Sequence, residues 1–310
     1  MKKYQISKQF FPFSYLIPPV NKAFLNLVVP FMKAPKFFYR DKGVSVTRYD
    51  VVSYDGEKLP CLLMSPKGVD EKLPCLIYIH GGGFVFEAAK YHYSNALRYV
   101  KEIGCRVFFV NYRLAPKHVH PVFFEDCYAA FCWAYDNADK LNIDPSRIGI
   151  GGDSAGATLS VGVCMMAKDR QHPAEFAFQM LTYPFLDARG ESESNRRYTD
   201  TPMWNSSLSA KLLPMMSLDY SSPSYVYFSP VEAKSFEGLP PAYIETAEFD
   251  CLHDDGILYA EKLREAGIHV VLNETRGTMH GFDIMENAPT SKAAMSERIK
   301  FMNAAFYNLK

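Results

Sequence analysis

The stretch Gly152-Asp153-Ser154-Ala155-Gly156 constrains this chain more than any other. A short β-branched run, Arg147–Gly151, precedes it, and a mostly apolar run, Thr158–Met166, follows and is long enough for a buried helix. Strand, sharp turn with a serine at its tip, then helix is the context in which Gly-x-Ser-x-Gly marks a nucleophile. The turn demands strained dihedrals, and a side chain at Gly152 or Gly156 would strike the neighbouring strand and helix. The helix start behind the serine offers free amide hydrogens and a partial positive charge. Such a pentapeptide arises by chance on the order of once in ten chains of this length, so the remaining sequence has to supply its partners.

The surrounding chain has the texture of a layered α/β protein. Pro74–Ile79, Cys105–Val110, Ile148–Gly151, Phe178–Thr182, Ala242–Thr246 and Ile268–Leu272 are apolar runs suited to strands buried on both faces. Val44–Ser53 and Leu59–Met64 alternate around Tyr54-Asp55-Gly56 and predict a hairpin. Helices are expected at Ser94–Ile103, Phe123–Ala138, Gly156–Arg170, Asp255–Ala266 and Ser291–Leu309. In the last, Met295, Ile299, Met302, Phe306 and Leu309 form one apolar stripe. This order predicts a mostly parallel eight-stranded sheet with helices on both faces and the hairpin as its antiparallel edge.

Residues 187–237 break the rhythm. They are rich in Ser, Arg, Tyr, Pro and Met, with their best helix near Ser207–Leu218. A long insertion at the C-terminal end of a strand lies over the crevice where open α/β sheets bind ligands. It is expected to form a cap, with residues 1–43 as its other half and a short helix at Asn21–Val29; residues 44–186 and 238–310 form the core.

A serine hydroxyl needs a base within hydrogen-bond reach, and the base needs an orienting group. His280 lies in a loop after the last expected strand, on the same sheet edge as Ser154, with His253 as a weaker candidate and His269 as a structural residue. Asp250 ends the seventh strand on that edge, whereas Asp254 and Asp255 fit the first turn of the next helix. His80-Gly81-Gly82-Gly83-Phe84 directly follows the third strand. Consecutive glycines can turn several N–H groups into one concavity for an oxygen gaining negative charge, and the Ala155 N–H adds a donor. The spacings of a phosphate cradle are absent.

Composition excludes several classes. The 34 basic and 34 acidic residues cancel, so nothing in the sum favours nucleic acid or an anionic membrane. The seven cysteines are odd in number, scattered, and free of Cys-x-x-Cys pairs, as expected of buried thiols in the cytoplasm. No apolar run reaches membrane-spanning length. Lys2, Lys3 and Lys8 before Phe10–Pro19 have a faint signal-peptide flavour, but prolines interrupt the run and no small-residue cleavage site follows. The segment therefore reads as mature protein.

Taken in order, HGGGF at 80–84, NYRLAP at 111–116, FEDCYAAFCW at 124–133, the run from Asp144 through GGDSAG to Gly156, TYP at 182–184, AEFDCLHDDG at 247–256 and HGF at 280–282 resemble the hormone-sensitive-lipase-like family of α/β-hydrolase esterases. The resemblance implies an α/β-hydrolase fold with Ser154 as nucleophile, Asp250 as acid and His280 as base. It also implies an oxyanion hole from the amides of Gly82, Gly83 and Ala155, and a cap built from the N-terminus plus the insertion. Ala157 and Lys117 depart from the family's usual glycine and acidic residue, and neither touches the triad. The expected activity is hydrolysis of short acyl esters through an acyl-enzyme, with no metal or organic cofactor. An amidase, a carbohydrate deacetylase or a non-catalytic small-molecule receptor on the same fold are the alternatives. The expected partner is a small-molecule ester, with no nucleic acid and no integral membrane segment, and the chain is expected to be a monomer or homodimer. The aromatic insertion, with Trp204, Tyr220, Tyr225 and Phe228, points to a confined apolar site.

Overall fold

The computed structural model describes residues 3–27 and 36–307. Eight strands form one sheet: β1 (Val44–Val52), β2 (Lys58–Pro66), β3 (Leu73–Ile79), β4 (Arg106–Val110), β5 (Ile143–Asp153), β6 (Phe176–Thr182), β7 (Ala242–Phe249) and β8 (Val270–Met279). Their spatial order is β1-β2-β4-β3-β5-β6-β7-β8. β2 runs antiparallel to both of its neighbours, and all other adjacent pairs are parallel.

Strand alternation sorts the buried side chains into two layers. Leu76, Tyr78, Val107, Phe109, Phe178, Met180 and Tyr243 meet helices α2 (Lys90–Ile103) and α9 (Pro289–Tyr307) on one face. Cys75, Ile77, Ile79, Phe108, Ile148, Ile150 and Leu181 meet α3 (Val122–Asp136), α4 (Ala155–Asp169) and α8 (His253–Glu265) on the other. α4 is buried continuously from Ala155 to Ala167, which explains why it has almost no polar face. All seven cysteines are free; burial pushes the Cys61 and Cys75 thiols up to about 12, so they stay protonated.

Several element bounds differ from the sequence reading. β8 begins at Val270, not Ile268, and runs on past Leu272 to Met279, into the start of the Thr278–Phe282 stretch expected as a loop. It is the edge strand of the sheet, so its polar side chains face solvent without breaking the ladder. His269 lies just outside it and is exposed. The expected helix at Ser207–Leu218 stops as α6 (Ser206–Leu212), because Pro214 has no amide to continue it. The rest of residues 187–237 contains two further short helices, α5 (Glu193–Arg197) and α7 (Tyr225–Phe228). The insertion is packed rather than solvated: Trp204, Leu208, Leu212, Met216, Phe228 and Val231 are buried. Near the start of the chain, α1 (Lys22–Leu27) matches the first part of the expected helix; Val28, Val29 and, at the other end, Leu309 fall outside the described residues.

The stripe on α9 contains one residue that periodicity did not single out. Met295, Met302 and Phe306 are buried as expected, and so is Arg298, which is only 1% exposed. Its guanidinium donates to Asp283 at 2.7 Å and to Glu245 on β7. Asp283 also accepts the Tyr183 hydroxyl at 2.6 Å. Removing one partner of a buried ion pair strands the others without solvent. Arg298→Met is therefore expected to lower unfolding free energy by about 3–5 kcal/mol, measured by urea denaturation. A loss too small to resolve would show that Asp283 and Glu245 do not depend on it.

Candidate active site

The turn between β5 and α4 is formed by contact, not by composition. A β-carbon on Gly152 would lie 2.1 Å from the Ile79 carbonyl oxygen, and one on Gly156 would lie 2.0 Å from the same atom. Both collisions are with backbone at the end of β3, so only glycine fits. The chain turns between them at Ser154, whose φ of 53° and ψ of −120° are strained for a side-chain-bearing residue. Its N–H donates to Thr182 O at 2.8 Å, which ties the turn to the end of β6. Ala157 is fully buried one turn into α4, and Lys117 is exposed.

The structure brings Ser154, His280 and Asp250 together. His280 Nε2 lies 2.9 Å from Ser154 Oγ, and its Nδ1 lies 2.7 Å from Asp250 Oδ2. Nδ1–H donates to the carboxylate, which leaves Nε2 free to accept from the serine hydroxyl. The other Asp250 oxygen accepts the Leu252 N–H at 3.0 Å, and its side chain is wholly buried. The Tyr183 ring meets His280 edge-on at 4.8 Å, and the indole of Trp204 lies 6.2 Å away. Such an arrangement can activate a hydroxyl and hold the resulting imidazolium against a carboxylate.

The other candidates stand apart from this group. His253 opens α8 and faces Asp254 at 2.9 Å and Glu274 at 3.4 Å. Asp254 accepts the Ser194 N–H at 2.8 Å. Asp255 accepts the amides of Leu186 and Asp187 at 3.0 and 3.1 Å, so it anchors the chain where it leaves β6 instead of merely starting a helix. Burial holds its carboxyl well above the usual range despite those amides.

The glycine loop after β3 sits beside the serine. Gly83, Ser154 and Ala155 line one cavity with Phe84, Phe185, Trp204, Leu212 and Phe228. Gly82 (φ 111°) and Gly83 (φ 59°) adopt backbone conformations that side chains resist. Among the described residues, neither amide donates to a protein acceptor, and Ala155, at the first position of α4, has no acceptor within its helix. The cavity leaves only about 10 Å³ for the centre of a water-sized molecule, room for roughly one water.

A second set of residues, which the sequence reading passed over, holds these loops in place. Asp153 is buried and accepts from Tyr78, Tyr91 and His92 at 3.0, 3.1 and 3.0 Å. Burial alone would raise its carboxyl, but the His92 imidazole and these donors hold it down to about 2. The signal was the acidic residue inside the pentapeptide itself. The NYRLAP stretch supports the glycine loop: Tyr112 donates to His80 O at 2.9 Å, and the Ala115 N–H donates to Phe84 O at 2.9 Å. His80 stacks on Tyr112 at 4.6 Å and points Nδ1 at Gly81 O, 2.7 Å away.

Burial, with the nearby His92, lowers the His80 pKa from 6.5 to about 3, so the folded state keeps it neutral. An unfolded chain takes up that proton below about pH 6.5 while the native chain does not. Stability should therefore be full above pH 6.5 and fall as pH drops from 6.5 toward 3. Unfolding midpoints across this window should decline more steeply for the wild type than for His80→Asn, and parallel declines would remove His80 as a cause.

Comparison with known proteins places this geometry in context. The model of the family described as the alpha/beta hydrolase fold matches residues 76–284. Carboxylesterase NlhH of Mycobacterium tuberculosis is 36% identical over 236 residues, covering 74% of this chain and 73% of its own. An arylesterase of Saccharolobus solfataricus is 29% identical over 249 residues, 77% of this chain and 78% of its own. A solved bacterial heroin esterase superposes with a TM-score of 0.85 at 30% identity, covering 97% of this chain and 98% of that one. The chain belongs to the α/β-hydrolase fold family, in its hormone-sensitive-lipase-like branch.

Proposed function

We propose that this carboxylic ester hydrolase cleaves short-chain acyl esters through Ser154, His280 and Asp250. The observation that carries the reading is one imidazole held between a strained serine and a buried carboxylate. Ser154 Oγ attacks the ester carbonyl while His280 Nε2 takes its proton, and Asp250 fixes the tautomer and stabilises the imidazolium. The amides of Gly82, Gly83 and Ala155 bind the tetrahedral oxyanion. His280 then protonates the departing alcohol, and water repeats the sequence on the acyl-enzyme. Residues 1–43 and 187–237 act as the cap over this site.

The preference for short chains rests on three rings. Phe84, Phe185 and Phe228 lie 5.1 to 6.4 Å apart and wall the cavity that Ser154 opens into. Phe228 belongs to the insertion and not to the sheet, and truncating it opens the wall.

Ser154→Ala is expected to lower kcat by about 10⁴-fold or more with the fold intact, as judged by circular dichroism. Asp250→Asn should be severe and Asp254→Asn mild; the reverse ranking would move the acid. On p-nitrophenyl esters of increasing length, the wild type should favour acetyl or butyryl over dodecanoyl. Phe228→Ala should move the optimum toward longer chains by about tenfold in relative kcat/KM. Faster wild-type turnover on dodecanoyl would overturn the short-chain reading.

A further inference from the structure

We infer that the N-terminal segment is a docking surface for an anionic phospholipid bilayer, beside the mouth of the site. The inference does not rest on the proposed substrate. Residues 3–20 are anchored to the body of the protein by packing and hydrogen bonds. Ile6 and Phe10 are buried, Phe10 packs on Phe282 at 5.9 Å, and the Ser7 N–H donates to Gly277 O at 2.9 Å. Leu16 O accepts the Met203 N–H at 2.6 Å, one residue from Trp204 in the cavity wall. These bonds fasten the segment to the loops that carry His280 and Trp204.

The opposite side of the segment is apolar and open. Phe11 is 67% exposed, Tyr15 62%, Ile17 49% and Leu16 48%; Phe11 and Tyr15 pack edge to face at 6.1 Å. Scattered exposed apolar residues are ordinary, but four within seven positions of one anchored segment form a patch that calls for a partner. Aromatic and aliphatic side chains of this kind suit the boundary between lipid headgroups and acyl chains.

Charge identifies the partner. Residues 1–40 hold six lysines and Arg40 but no aspartate or glutamate. The balanced total of the chain hides this, so its exclusion of an anionic membrane does not hold locally. Lys8, next to the patch, is exposed, while Lys3 is paired with Asp200 at 2.7 Å. A two-fold contact between copies of this segment would set cations against cations, whereas an anionic leaflet attracts them. Among the described residues no helix is long and apolar enough to cross a membrane, so contact would be peripheral.

Flotation of the full chain with vesicles decides the matter. Vesicles of phosphatidylcholine with about one third phosphatidylglycerol should carry the protein, and pure phosphatidylcholine or about 0.5 M salt should release it. Phe11→Ser/Leu16→Ser/Ile17→Ser should reduce the bound fraction about tenfold while the circular dichroism spectrum stays that of the wild type. Lys8→Glu should weaken binding in low salt, and decides the matter if the triple variant does not fold. Failure of the wild type to float, or equal flotation of the triple variant, would overturn the inference. So would a wild-type dimer that the triple variant dissolves without any vesicle binding.

Discussion

One carbonyl oxygen, that of Ile79 at the end of β3, sets the spacing of the whole site. Gly152 and Gly156 both press against it, closer than any side chain permits. That contact brings the first turn of α4 down onto the end of the neighbouring strand. The loop following Ile79 is the glycine loop itself, so one close approach registers the serine turn against the amides beside it. The strain at Ser154 is held by packing on both sides and by the bond to Thr182 O. A rigid sheet supplies the precision that a loop-built site lacks.

Buried ions hold the rest. Asp153 is gripped by two phenols and an imidazole, which ties the turn to α2 and β3. Arg298 reaches from α9 to Asp283, three residues beyond His280, and to Glu245 on β7. Tyr183 joins the two regions, since its hydroxyl binds Asp283 while its ring touches His280. Such groups cost desolvation and contribute little net stability, but each fixes an orientation that an apolar contact would leave free to slide.

The parallel core was legible because its strands are continuous apolar runs and its helices have a clear period. The placement of Ser154, Asp250 and His280 on one edge followed from counting strands. Other features were illegible for physical reasons. The second half of β8, beyond Leu272, went unseen because an edge strand needs no apolar run. Arg298 sits where a periodic pattern expects a hydrophobe, and nothing local in the sequence announces the two carboxylates that neutralise it. Asp255 carried a familiar first-turn signal that masked its reach to Leu186 and Asp187. The supporting roles of Tyr112, Tyr183 and His92 depend on contacts between segments far apart in the chain, which no local pattern encodes.

The small room left beside Ser154 has a mechanical meaning. A cavity with space for about one water is close-packed, so its volume is set by the side chains that wall it. Trp204 lies in the loop before α6 and Leu212 ends α6, so neither belongs to the sheet. The sheet end therefore fixes one side of this cavity and the insertion the other, so a change in the insertion reshapes the room beside Ser154 without touching the glycines that set its turn.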